Sequence, residues 1–118
     1  MRQEDKELLL KDLCARLPYG VKIQVPYEDG SGYFDETVWE VNNEGPFYVN
    51  GWGIEYEYVK PYLFPLSSIT KKTLEELSAY IDIKNAYVAV EFFNSHHIDY
   101  RGLIEKGLAI DATGLDIY

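Results

Sequence analysis

The chain predicts an α+β fold in which a small, strongly twisted antiparallel sheet packs against helices from both ends of the sequence. Three observations point there. Leu9, Leu10, Leu13 and Leu17 recur at helical spacing near the start; Val21, Ile23 and Val25 then alternate with Lys22 and Gln24; and helical spacing returns after Ser67. An SH3-like barrel is the closed form of such a plan. The 118 residues form one domain, long enough to bury a core without staples, and the single cysteine excludes an internal disulfide framework.

Residues Gln3 to Leu17 read as an amphipathic helix, with Glu4, Lys6, Glu7, Lys11 and Asp12 opposite the leucines. Cys14 lies between Leu10 and Leu17, so it reads as a small core residue rather than a nucleophile. Leu17-Pro18-Tyr19-Gly20 ends this helix, and Val21 to Val25 follows as a strand closed by Pro26. The polar glycine pair in Glu28-Asp29-Gly30-Ser31-Gly32 predicts a hairpin loop. Tyr33 to Val41, Phe47 to Val49 and Ile54 to Val59 complete a four-strand meander, separated by turns at Asn42 to Gly45 and at Asn50-Gly51. Lys60 to Pro65 is too proline-rich to read as regular structure.

Thr70 caps a second expected helix carrying Leu74, Leu77 and Ile81, with Ile69 as the staple partner of Leu74. Asn85 caps a third, over Ala86 to Asn94. Its core, Tyr87 to Phe93, is also rich in strand-forming residues, so period alone leaves helix and strand open. Asp99 to Ile110 reads as a capped helical turn punctuated by Gly102 and Gly107, with the last residues free to fray.

The formal charge is -9, and it is uneven: residues 1–18 sum to zero, 19–58 to -7 and 59–118 to -2. That balance argues against direct nucleic-acid binding, which relies on Lys and Arg at phosphates. The central segment also holds both tryptophans and six of the 11 tyrosines. An acidic, aromatic sheet face suits a protein partner, and Asp35, Glu36, Trp52, Glu55, Tyr56 and Glu57 are its candidate binding residues. The bland alternative is a solvated face, because Glu55 and Glu57 alternate with Tyr56 and Tyr58 as in any half-buried strand. Spaced carboxylates also suggest a DNA mimic that occupies a nucleic-acid-binding protein.

Catalytic side-chain types gather only around His96, His97, Asp99 and Arg101. Adjacent histidines on a helix project about 100° apart and do not chelate one ion, and no HExxH pattern or second His/Cys cluster adds ligands, so no metal or cofactor is expected. A helix-end imidazole, a capping Asp99 and a carboxylate-paired Arg101 account for the same residues structurally. The favoured reading is therefore non-enzymatic, with an enzyme or metal site there as the alternative. No stretch is apolar enough to span a bilayer, and the acidic start is unlike a signal peptide, so the expected setting is the cytoplasm.

Three blocks, KDLCARLPYGVKIQV from Lys11, VKPYLFPLSSIT from Val59 and HHIDYRGLIEKGLAIDA from His96, resemble a family of small proteins from bacteria, phages and prophages that carries no assigned activity. The resemblance implies a mobile-element setting and a helix before His96. The stretch Tyr27 to Tyr58 departs from that family in wording and length.

Overall fold

A computed structural model describes residues 2–41, 46–48, 55–69, 75 and 86–118. Helix α1 spans Gln3–Arg16, with Glu4 and Asp5 in its first turn and Arg16 in its last, each sign suited to the helix dipole at that end. A 3-10 turn, Leu17–Tyr19, continues it and stops at Gly20, whose φ of 68° is a left-handed value that glycine adopts without a Cβ clash.

Strand β1 (Lys22–Pro26) pairs antiparallel with β2 (Tyr33–Val41), and β2 with β3 (Pro46–Tyr48). The loop between β1 and β2 closes through Tyr27 N donating to Gly32 O at 2.9 Å and Gly30 N to Tyr27 O at 3.1 Å. In β2 the register against β3 slips between Val38 and Glu40. That bulge changes the alternation: Phe34, Val38 and then Val41 join the core, while Trp39 and Glu40 are both exposed.

The other long edge of β1 pairs with β4 (Lys60–Pro65). The proline-rich segment is therefore regular after all, and lies between other strands. In an extended chain the N–H and C=O of one residue face one edge, and successive residues alternate. Leu63 O accepts from Ala112 N and Phe64 N donates to His97 O, both at 2.8 Å, so two further strands flank β4 on opposite edges. These are β5 (Ile98–Asp99) and β6 (Ile110–Asp111), each parallel to β4. Pro61 and Pro65 share the Leu63 edge, which β6 spans only at Tyr62 and Leu63. Neither missing N–H removes a ladder bond.

The sheet is mixed and open, so the SH3-like barrel is not formed; its strands do not return to pair with β3, and β4 instead takes two short parallel partners. The expected fourth meander strand is also corrected. Tyr56–Tyr58 is a 3-10 turn that drives Tyr56 into the core and leaves Tyr58 outside, so the two tyrosines do not share a face. Ala86–Ser95 is helix α2, which settles the ambiguity in favour of the helix. Between β5 and β6 the chain forms successive turns rather than a regular helix. The expected helix from Thr70, the Asn85 cap, the turns at Asn42 to Gly45 and Asn50-Gly51, and Trp52 lie outside the described residues.

Leu9 and Leu13 of α1 pack on Val21, Ile23, Val25, Val38, Tyr56 and Val59. A second cluster joins Leu63 to Leu103, Leu108 and Ala109, with Leu8 and Ile104 at its margin. Cys14 is exposed, a correction of its expected core position. The inward stripe of α1 runs through Leu9, Asp12, Leu13 and Arg16, which puts Cys14 beyond its margin.

Asp12 and Arg16 are both fully buried, although charged. Arg16 Nε and Arg101 Nη1 each donate to Asp12, at 2.9 Å, one to each carboxylate oxygen. Arg16 Nη2 also donates to Ile98 O at 2.6 Å, tying α1 to β5. Removing one partner from such a cluster strands a buried charge, whereas replacing the pair by apolar side chains does not. Asp12→Ala is expected to lower stability by about 3–5 kcal/mol, and the double variant Asp12→Leu/Arg16→Met by less than Asp12→Ala alone, as urea unfolding would measure.

Candidate functional site

Two places hold the candidate residues: the β1–β2 hairpin and the segment from α2 into β5. On the hairpin, pairing decides which side chains share a face, because residues opposite one another in an antiparallel ladder point the same way. Asp35 stands opposite Gln24 and Glu36 opposite Ile23. Ile23 is fully buried, so Glu36 belongs to the core side and Asp35 to the outward side.

The outward side of β2 thus presents Tyr33, Asp35, Thr37 and Trp39, joined by Glu40 through the bulge. Tyr33 is 64% exposed and Trp39 56%. Tyr27, in the loop, instead turns against the inward Phe34, their ring centroids 5.0 Å apart. Lys22 and Lys60 stand on the outward face as well, opposite Thr37 and Gln24. Asp35 does not hang free of the fold: the Tyr62 hydroxyl donates to its Oδ1, and Gln24 Nε2 donates to that same hydroxyl at 3.2 Å. Burial first, and then the hydrogen bond to Asp35, pushes the Tyr62 phenol up to about 12, so it remains a donor.

Of the six residues expected to form one binding surface, the five that are described are divided. Asp35 faces outward and Glu36 inward, while Glu55 and Glu57 are exposed on either side of Tyr56, in the turn that packs on α1. Tyr56 is only 2% exposed and is a core residue, a correction of its candidate binding role. Its aromatic ring fills the space that α1 leaves over the sheet, which no surface contact needs.

At the second place the four residues split between surface and interior. His96 is exposed; its ring stacks on Phe92 at 4.2 Å and its Nδ1 lies 3.0 Å from Phe92 O, at the carbonyl end of α2. His97 is 6% exposed and has a left-handed φ of 55°. Asp99 is occupied as a cap, with Oδ1 accepting from Leu103 N and Oδ2 from Ile104 N, both at 2.9 Å. Arg101 reaches Asp12 and lies over the Tyr100 ring at 4.4 Å. Tyr100 in turn stacks on Phe93 at 5.6 Å and donates to Asn94 Oδ1 at 2.9 Å. Among the buried side-chain nitrogens and oxygens of the described residues, His97 Nδ1 is left without a hydrogen-bond partner.

Tyr118, expected to fray, holds this corner together. Its ring lies parallel to that of His97 at 3.8 Å, its hydroxyl donates to Tyr62 O at 2.8 Å, and it accepts from Lys22 N at 2.8 Å. Among the described residues no group of three or more His, Cys, Asp and Glu side chains is placed to hold a metal ion. None of their helices is long and apolar enough to cross a membrane. No protein-family model matches the chain, and comparisons with curated proteins and with solved structures return no match.

His97 gives the fold a definite pH response. Burial, and then the positive charges of Arg16 and His96, push its imidazole down from 6.5 to about 4. Between those two values the unfolded chain binds the proton and the folded chain does not, so stability is lost as pH falls from about 6.5 towards about 4 and is retained above. His97→Phe keeps an aromatic ring against Tyr118 and removes the proton site. Its stability should fall less steeply across that window than the parent's, by on the order of 2 kcal/mol in total, when urea midpoints are followed against pH.

Proposed function

We propose that this chain is a non-enzymatic interaction protein that engages a partner protein through the outward face of the β1–β2 hairpin. One observation carries the reading: Tyr33 and Trp39 are both more than half exposed on the face that also presents Asp35. Aromatic side chains are enriched where proteins meet, because they bury a large area with little conformational freedom to lose. The hairpin arm from Tyr27 to Val41 contains five acids and no lysine or arginine, which favours a partner of opposite charge.

The resemblance of three sequence blocks to small bacterial and phage proteins supports an accessory of a mobile element acting in the cytoplasm. A DNA mimic has less behind it. Such a molecule needs carboxylates in a row along one face, and Asp35 and Glu36 alternate between two. The enzyme reading is weaker still, since Asp99 and Arg101 are engaged by backbone amides and by Asp12.

The test is affinity capture with the parent and with the double variant Tyr33→Ser/Trp39→Ser. Exposed substitutions of this kind shift stability by about 0.5 kcal/mol or less, so thermal melting should change little. Partners recovered by the parent and missing from the variant support the proposal; identical recovery by both proteins rejects it.

A further inference from the structure

Resting on that reading of the hairpin, we infer that its occupant is a basic peptide segment bearing arginines, with Asp35 as the carboxylate that receives a guanidinium. Asp35 is exposed, yet its orientation is set by neighbours across the same face: Gln24 donates to the Tyr62 hydroxyl, which donates to Asp35 Oδ1. Tyr62 shares that outward face with Gln24 and Lys60 and is itself only 5% exposed, so the group that holds Asp35 is fixed by its own packing. A surface carboxylate held in this way gives up less side-chain freedom on binding than a solvated one.

The aromatic neighbours fit the same ligand. Residues two apart on a strand face sit about 7 Å from one another, which brings a guanidinium at Asp35 within reach of the Tyr33 ring. Trp39 and Glu40 repeat the pairing of ring and carboxylate further along β2, both outward because of the bulge. An extended partner repeats its own side chains at the same spacing, so arginines two or four residues apart match the face. Arginine is favoured over lysine because its planar group both stacks on rings and forks onto carboxylates. Lys22 on β1 and Lys60 on β4 share this face and oppose the ligand electrostatically, and Lys22 supplies a control of opposite sign.

The experiment is an NMR titration of the full chain with a short acetylated peptide carrying arginine at every second position, alongside a matched peptide with glutamate in those positions. The arginine peptide should shift the signals of Tyr33, Asp35 and Trp39, and the glutamate peptide should not. Asp35→Asn should weaken binding about tenfold, Tyr62→Phe by a smaller factor with the fold retained, and Lys22→Ser should tighten it about twofold. Shifts spread equally over the acids of α1, or an affinity indifferent to Asp35→Asn, would overturn the assignment. If the peptide fails while the Tyr33/Trp39 variant still loses its captured partner, the basic ligand is wrong and the interaction face stands. If that variant loses no partner, the face itself is wrong.

Discussion

A single buried carboxylate organises the join between the two halves of this protein. Asp12 sits in α1 with no exposed surface and accepts one guanidinium on each oxygen, from Arg16 a helical turn away and from Arg101 at the far end of the sequence. Without those partners it would be a charge in a medium that penalises charge; with them it becomes a directional link. Arg16 extends the link to Ile98 O and Phe93 O, so the end of α2, β5 and the turn after it all take their position from α1. Hydrophobic packing alone would hold these pieces together without specifying their register. The charge cluster, with Tyr100 stacked beside it, specifies that register.

The consequence for the proposed interaction face lies on the other side of the sheet. With β5 fixed, Tyr118 stacks on His97 and bonds Tyr62 O, and Tyr62 in turn holds Asp35. A chain of contacts therefore runs from the buried charges to an exposed carboxylate on the hairpin. The residues that look most like catalytic groups in the sequence are part of the supporting end of that chain. The residues proposed to meet a partner, Tyr33 and Trp39, are aromatic and lie on the outward face.

Much of the plan was legible in advance. The leucine spacing of α1, the alternation of β1, the glycine loop between β1 and β2, and the capping position of Asp99 all follow from local rules, since each depends on residues within a few positions. The misses have a common cause. Leu9, Asp12, Leu13 and Arg16 have helical spacing, so the inward stripe could have been phased through them, but charge made Asp12 look like a solvent residue. Only a distant arginine makes its burial tolerable. Lys60 to Pro65 looked irregular because prolines break ladders, and it is a strand because Pro61 and Pro65 happen to face an edge with no bond to lose. Tyr56 seemed to alternate with glutamates in a strand, whereas a 3-10 turn inserts it beneath α1.

The sequence by itself determined the class of fold, the helix and strands nearest the start and the concentration of acids and tyrosines in the middle. Those properties are sums and short periods, and they need no knowledge of what lies opposite. Tertiary structure decided which of the acids face outward, which tyrosines are core, and whether His97 and Asp99 meet solvent. Each of those outcomes turns on pairing across the sheet or on contacts nearly the whole chain apart, as between Asp12 and Arg101, and a side chain's neighbours at that range are set only when the chain closes on itself.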